Sequence, residues 1–151
     1  MNDTALAAVE IRRRFDAAPQ RVYEAFADIH TLAELIRPER AQLVAAKADA
    51  RLGGHYEIAL RMAENDVWTV RGVYRELSPF RRLAMTWIWV EDDPKDEQHT
   101  LITLRFVPDG DGTELTLRHE LFAREESRNA HAEGWTECLE NLAARLQDTA
   151  S

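Results

Sequence analysis

The sequence predicts an α+β fold: a curved antiparallel sheet of about seven strands, two short helices after the first strand, and a long C-terminal helix across the concave face. From about residue 41, six consecutive segments alternate apolar and polar residues between short turn signals, a pattern typical of an antiparallel meander. The last segment carries an apolar stripe at helical spacing, formed by Trp135, Leu139, Leu142 and Leu146. Because this stripe has to be buried and the sheet is the only large partner, we expect the helix to pack on the sheet.

The N-terminal segment predicts one strand and two helices. Residues 9–15, VEIRRRF, alternate except for the intruding Arg13 and indicate the first strand. Pro19 suits the first turn of a helix whose apolar face is formed by Val22, Tyr23 and Phe26. A second short helix follows, with Thr31 and Glu34 in capping-box spacing.

Six further strands are predicted after the helices. They cover residues 41–49, 55–62, 66–77, 81–90, 100–107 and 113–121. Gly72 interrupts the third of these and predicts a bulge or a close approach of backbone. The segments RLGG (51–54) and PDGDG (108–112) read as turns, the second as a hairpin turn rather than a calcium loop. The pattern leaves open which strand face is concave, since residues 101–107 are apolar on both faces.

The composition predicts a soluble single domain that spans residues 1–151. Hydrophobic residues make up 45% and charged residues 30% of the chain, as in ordinary globular proteins. No apolar run reaches the roughly 20 residues of a membrane span, and residues 1–10 lack the features of a signal peptide, so we expect a cytoplasmic protein. The single cysteine, Cys138, agrees with a reducing compartment. The net charge of −8 argues against nucleic acid as a partner.

The stretch AMTWIWV, residues 84–90, places Met85, Trp87 and Trp89 on one face of a strand, because successive side chains alternate. This stripe either belongs to a packed core or lines a cavity. We expect Trp87 to pack near the long helix. Trp89 is closer to the acidic loop, residues 91–97, and we expect it at the rim of the cavity.

Two residues are candidates for acid–base chemistry. His119 shares its strand face with Leu115 and Leu117, so it either anchors or protonates a ligand, or is a hydrogen-bonded structural residue. Tyr56 is the second candidate.

The long helix adds two residues with a reactive side chain. His131 lies one turn before Trp135, at the cavity mouth or on an exposed shoulder. Cys138 is seven residues further along than His131, about 10.5 Å along the helix axis, so the two do not form a nucleophile and base pair. We expect Cys138 to be a small buried side chain. The sequence contains no CxxC, HExxH, phosphate loop or GxGxxG motif, and it predicts neither a metal site nor a cofactor.

Five segments occur in the order seen in a known family. They are FDAAPQRVYEAFAD (15–28), RLGG (51–54), GVYRELSPFRRLAMTWIW (72–89), GTELTLRHELF (112–122) and HAEGWTECLENLAARL (131–146). From about Ile11 to Leu146 the chain resembles homologues of the activator of the heat-shock protein 90 ATPase, a family of the START-like (SRPBCC) superfamily. One difference is visible: many relatives carry paired tryptophans before the proline that follows the second helix, where this chain has Leu35 and Ile36.

The resemblance implies the helix-grip fold, with a cavity between the sheet and the long helix. Members of the superfamily use this cavity for lipids, sterols, polyketides or hormones, and some catalyse cyclisation or dehydration there. The family name also implies a bacterial stress-response protein, although many single-domain bacterial relatives have no known activity. Fold alone does not decide between these functions.

Three functions are therefore considered. The first is binding of a small apolar or aromatic ligand in the cavity, against a wall formed by Met85, Trp87, Trp89, Tyr56, Ile58, Leu117, His119, His131, Trp135 and Cys138. The second is a polyketide cyclase- or dehydratase-like enzyme with His119 or Tyr56 as its acid or base. This function is less favoured, because few polar residues lie on the strand face that would point into the cavity. The third, motivated by the family name, is a stress-related protein that interacts with a chaperone. The sequence leaves a homodimer open.

Overall fold

Within residues 6–150 the chain forms a seven-stranded antiparallel sheet and three helices. The structure is a computed structural model that describes the backbone of residues 6–150 and the side chains of residues 6–147. Its helices are α1 (Pro19–Ala27), α2 (Ile29–Ile36) and α3 (Glu125–Ala150). Its strands are β1 (Val9–Phe15), β2 (Gln42–Ala48), β3 (His55–Ala63), β4 (Asp66–Ser78), β5 (Arg82–Trp89), β6 (Thr100–Asp109) and β7 (Gly112–Glu120). The predicted α+β class is confirmed, with two short helices after the first strand and a long helix at the end.

The sheet has the strand order β1-β7-β6-β5-β4-β3-β2, and every neighbouring pair is antiparallel. Strands β2 to β7 form the predicted meander, and β1 pairs with β7 at the far end. In that pair Val9 lies opposite His119, and Ile11 lies opposite Leu117. The N-terminal strand therefore covers the edge of the strand that carries His119.

Burial shows which face of the sheet is concave. On β6, Ile102, Leu104 and Phe106 are buried, whereas Leu101 is only half-buried and Val107 is exposed. The buried set faces α3, whose own buried residues are the predicted stripe together with one further residue: Trp135, Cys138, Leu139, Leu142 and Leu146. The ambiguity that the sequence left on this strand is thus resolved by the position of α3.

Two glycines allow the backbone to take the path it does. Gly110 has a φ of 61° in the hairpin between β6 and β7, a conformation that residues with a Cβ rarely adopt. A Cβ on Gly72 would lie 2.0 Å from the carbonyl oxygen of Thr86 on β5, so the predicted close approach of backbone is confirmed. The β4–β5 register shifts nearby, between Tyr74 and Glu76.

The predicted start of the second helix is wrong. Helix α2 begins at Ile29 with Asp28 as its N-cap residue, so Thr31 lies inside the first turn and cannot cap it. The Thr31 hydroxyl instead donates a 2.6 Å hydrogen bond to the Asp28 carboxylate. Only one residue, Asp28, separates α1 from α2, so the second helix begins earlier than the capping-box spacing suggested.

None of the helices in residues 6–150 is both long enough and apolar enough to cross a membrane. The sequence-based statement about a signal peptide concerns residues 1–10, of which the first five lie outside the described residues.

Candidate functional site

Two recesses open beside the N-terminal half of α3, and they share four side chains, which we call the aromatic site: Trp68, Trp87, Trp89 and His131. Trp68 lies on β4 and is 50% exposed, an unusual position for so large an apolar surface. Trp87 and Trp89 project from β5, and His131 projects from α3. Two neighbouring strands and the long helix therefore meet here.

The smaller recess, which we call the inner recess because it borders α2 and α3, has a volume of about 190 Å³. Besides the aromatic site, its lining is apolar and comes from α2 and α3: Ile36, Ala130, Gly134 and Trp135. A Cβ built on Gly134 would meet no atom within 4 Å, so the helix leaves open space at this position. The inner recess is thus an apolar slot between the sheet and the helix.

The larger recess, which we call the outer recess, has a volume of about 460 Å³, and its lining is more polar than that of the inner recess. The charged side chains in its lining are three carboxylates and one guanidinium, those of Asp66, Glu91, Asp92 and Arg124. The carboxylates outnumber the cation in a chain whose net charge is already −8. The charged lining of the outer recess is therefore predominantly negative.

The tryptophans are in ring-to-ring contact. The ring centroids of Trp87 and Trp135 are 5.1 Å apart, which confirms that Trp87 packs against the long helix. Trp89 meets Trp87 edge to face at 6.0 Å, and Trp68 meets Trp89 edge to face at 6.1 Å. These are favoured geometries for aromatic pairs, and they hold the walls of both recesses in place.

His131 fixes the orientation of Trp89. Its Nδ1 lies 2.8 Å from the Ser127 carbonyl oxygen, one turn earlier in α3, and must therefore carry the proton. Its Nε2 then accepts a 3.0 Å hydrogen bond from Trp89 Nε1. Of the two positions that the sequence left open for His131, the structure places it at the mouth of the recesses.

His119 lies behind the recesses and has both nitrogens occupied. Its Nδ1 accepts a 3.0 Å hydrogen bond from Trp135 Nε1, so the proton is on Nε2, which donates to the Thr100 hydroxyl at 2.7 Å. Thr100 in turn donates to the Trp87 carbonyl oxygen at 2.5 Å. The network connects α3, β7, β6 and β5, and it leaves His119 neither a free donor nor a free acceptor for a ligand.

Both histidines are held in the neutral form. Burial, followed by the proximity of His131, lowers the pKa of His119 from 6.5 to about 2. Burial also lowers the pKa of His131, against the opposing effect of its hydrogen bond to Ser127. The hydrogen-bond geometry agrees, since a second proton on either ring would point at an indole N–H that now donates to it.

Five of the residues predicted to line a cavity lie in the packed core instead of beside the recesses: Tyr56, Ile58, Met85, Leu117 and Cys138. The Tyr56 hydroxyl donates to the Thr86 carbonyl oxygen at 2.5 Å, and burial raises its pKa well above the usual value. Burial likewise raises the pKa of the Cys138 thiol to about 12. The space between the sheet and most of α3 is therefore filled by side chains.

Sequence reasoning missed Trp68 and Thr100, among other residues that line the recesses. Trp68 has the same strand parity as Val70 and Tyr74, which are buried, so parity alone could have placed it on the concave side. Thr100 has the parity of the buried Ile102, yet its role depends on His119, 19 residues away, and no local pattern indicates that contact. Among residues 6–147 no group of three or more His, Cys, Asp and Glu side chains is placed to hold a metal ion.

A curved antiparallel sheet that holds a long C-terminal helix, with an aromatic recess at one end of that helix, defines a helix-grip protein of the START-like class. The chain belongs to the family of activator of Hsp90 ATPase homolog 1-like proteins, whose sequence profile matches residues 16–147.

Solved structures of similar proteins agree with this assignment. The chain is similar to the protein CV1439 from Chromobacterium violaceum, with 29% identity over 92% of this chain and 96% of that one, and a TM-score of 0.78. It is similar to the AHSA1 protein from Silicibacter pomeroyi, with 27% identity over 93% and 98% of the two chains, and a TM-score of 0.78. CalU16 from Micromonospora echinospora is 27% identical over 91% of this chain and 74% of that one, with a TM-score of 0.66. No protein with a curated description matches the sequence.

Proposed function

We propose that the protein binds a small apolar or aromatic molecule at the aromatic site, with the inner recess as the main contact surface. One observation carries the proposal: the three indole rings and the imidazole of the aromatic site line both recesses beside the N-terminal half of α3. Pockets that are mostly apolar, with a few fixed polar groups, are the usual form of small-molecule sites. The half-exposed Trp68 supplies an outer surface that a ligand would cover.

The energetics are sufficient for binding. A ligand that buries about 300 Å² of apolar surface gains roughly 7 kcal/mol at 25 cal/mol per Å², before the cost of association. The aromatic walls are already held by the Trp89–His131 and Trp135–His119 hydrogen bonds, so little additional ordering of side chains is needed on binding.

A cyclase- or dehydratase-like activity finds less support. Acid–base catalysis needs a group that can exchange a proton with the bound molecule. His119 uses both ring nitrogens in the network to Trp135 and Thr100, and Tyr56 donates to a backbone carbonyl in the core. The ATPase-activator role in the family's description belongs to the relatives for which the family is named and forms no part of this proposal.

The experiment uses Gly134, which borders the inner recess. Gly134→Leu should place a side chain in the slot without disturbing the helix, because Leu is a good helix former and the position is open. Native mass spectrometry and calorimetry with polycyclic aromatic compounds should show binding to the wild type and at least about a tenfold weaker affinity for Gly134→Leu.

Gly134→Ala is the matched control, because it adds only one methyl group at the same position and should retain binding. If no compound binds the wild type, or if Gly134→Leu binds as tightly as Gly134→Ala, the proposal is wrong.

A further inference from the structure

A further recess, which we call the arginine groove, has a volume of about 950 Å³ and lies at the opposite end of β5 from the aromatic site. The charged side chains in its lining are three guanidiniums and one carboxylate, those of Arg81, Arg82, Arg105 and Glu76. The outer recess shows the reverse, with three carboxylates and one guanidinium. The chain therefore carries two surfaces of opposite charge near the two ends of a single strand.

The arginine groove holds more positive charge than the groups around it neutralise. Arg82 pairs with Glu76 at 3.0 Å, whereas Arg81 and Arg105 form no ion pair with the described residues. Arg82 and Arg105 lie directly opposite each other on β5 and β6, where like charges destabilise a sheet. A carboxylate placed between the two guanidiniums would remove this repulsion and accept charge-assisted hydrogen bonds from both.

The turn before β5 holds an apolar side chain beside these guanidiniums. Phe80 lines the arginine groove and is 40% exposed. The Arg81 N–H donates to the Ser78 carbonyl oxygen at 3.0 Å, so Phe80 is the third residue of a tight turn, and its φ of 66° is a value that glycine adopts more easily. Bulky residues at positive φ are strained, and residues of this kind concentrate at functional sites.

The acidic loop, residues 91–97, has the complementary properties. It carries five carboxylates against Lys95. Glu91 and Asp92 are exposed and form no ion pair with the described part of the chain. Val90, directly before the loop, is 47% exposed, so an apolar side chain accompanies the unpaired charges here as it does in the arginine groove.

The acidic loop does not reach the arginine groove of its own chain. Arg82 and Trp89 are the first and last residues of β5, and the loop begins two residues after Trp89. Seven residue steps of about 3.3 Å separate the two ends of the strand by about 23 Å. The loop and the groove can therefore meet only between two copies of the chain.

Both surfaces are accessible from the convex face of the sheet. Arg82 and Arg71 alternate with the buried side chains of Leu83 and Val70, and they therefore project from the opposite, convex face. Arg71 binds Glu97 of the acidic loop at 2.7 Å, which holds the loop at the convex end of β4 and β5. Two copies that face each other with antiparallel β5 strands would each present a loop to the other's groove.

From these observations we propose that the protein forms a homodimer in which the acidic loop of each copy docks in the arginine groove of the other. A two-fold axis forms the contact twice and leaves neither surface unpaired, whereas a head-to-tail chain leaves one of each at its ends and continues to grow. The attraction depends on salt, because exposed charges are screened over about 10 Å at 0.1 M ionic strength. The proposal is independent of the proposed function.

Sedimentation equilibrium of the full chain tests the dimer. At low salt the mass should rise with protein concentration to twice that of the chain and no further. The dissociation constant should be at least about tenfold larger at about 0.5 M than at about 0.05 M NaCl.

Two charge-reversed variants locate the contact. Arg81→Glu/Arg105→Glu reverses the groove and Glu91→Lys/Asp92→Lys reverses the loop, and circular dichroism should show that both fold, because none of the four side chains forms an ion pair within the described residues. Each variant alone should be a monomer where the wild type is a dimer. An equimolar mixture should form a heterodimer, because the unchanged loop of the first fits the unchanged groove of the second and the two reversed surfaces fit each other.

Arg40→Glu/Lys47→Glu is the matched control, because it changes the net charge equally on exposed side chains at β2, three strands from β5. This variant should still dimerise. A wild type that stays monomeric at low salt and high concentration overturns the second copy as the occupant and leaves the groove to another acidic partner. Dimers that survive in both reversed variants, or a mixture that stays monomeric, overturn the contact, and oligomers larger than two overturn the two-fold arrangement.

Discussion

The neutral, buried His119 makes the stability of the fold depend on pH. Its pKa is lowered from 6.5 to about 2 in the folded protein, so the unfolded chain takes up a proton at this residue before the folded chain does. The stability that neutral His119 provides is therefore complete above pH 6.5 and decreases as the pH falls from 6.5 toward 2. Each pH unit below the unfolded pKa of 6.5 lowers the free energy of unfolding by about 1.4 kcal/mol. Because pH 5.5 is one unit below 6.5, the loss due to His119 between pH 8 and pH 5.5 is about 1.4 kcal/mol.

The substitution His119→Gln removes the imidazole that takes up the proton and keeps the hydrogen bonds to Trp135 and Thr100. A glutamine oxygen can accept from Trp135 and its amide nitrogen can donate to Thr100, as the imidazole does. Urea unfolding followed by far-ultraviolet circular dichroism at pH 8 and pH 5.5 gives the free energy of unfolding of each protein. We expect the wild type to lose about 1.4 kcal/mol more than His119→Gln over this range. His131 is present in both proteins, so its contribution largely cancels.

His30→Gln is the control, because His30 is exposed on α2 and has no part in the network. The pH dependence that comes from His119 should remain in this variant. The reasoning is refuted if His119→Gln retains the full pH dependence of the wild type, which would mean that the pKa of His119 is the same in the folded and the unfolded protein.

Three further predictions concern single sites. Gly134→Ala should raise the free energy of unfolding by about 1 kcal/mol, because alanine favours the helix and no atom lies within 4 Å of its Cβ; a decrease in urea unfolding would contradict the open space at this position. Gly72→Ala should lower the free energy of unfolding by at least about 2 kcal/mol, because the Cβ would lie 2.0 Å from the Thr86 carbonyl oxygen; a neutral effect in the same assay would refute the close approach. Cys138 should react with a thiol reagent only as fast as the protein unfolds, since burial raises its pKa to about 12; rapid labelling of the native protein would show that the thiol is accessible.

The meander from β2 to β7 was predictable because most of its strands alternate along the chain and each turn carries its own local signal. The long helix was predictable for the same reason, from the spacing of Trp135, Leu139 and Leu142. The pairing of β1 with β7 was not predicted, because it joins segments about 100 residues apart. The start of α2 was not predicted either, because Thr31 and Glu34 have the spacing of a capping box, whereas the N-cap position is occupied by Asp28, whose side chain makes no capping hydrogen bond. The Asp28 carboxylate accepts a hydrogen bond from the Thr31 hydroxyl instead, a contact that the spacing rule does not predict.

The candidate site was predictable only in part. The alternation of Trp87 and Trp89 indicates a shared face, but it does not show that the space beneath Met85 and Tyr56 is filled while the space beside Gly134 is open. That difference depends on how closely α3 approaches the sheet along its length, which is a tertiary property. The pairing of His119 with Trp135 and Thr100 likewise joins three elements that no sequence window contains.

The concentration of every tryptophan in one place has an optical consequence. The four indoles form a chain of neighbours, Trp68 to Trp89, Trp89 to Trp87 and Trp87 to Trp135, with ring centroids 6.1, 6.0 and 5.1 Å apart. Excitation absorbed by any ring is therefore shared among all four, and nearly all ultraviolet emission of the protein originates at the two recesses. A single quenching molecule bound there would reduce the tryptophan fluorescence of the whole protein. Binding at the recesses can therefore be followed by intrinsic fluorescence, without a label.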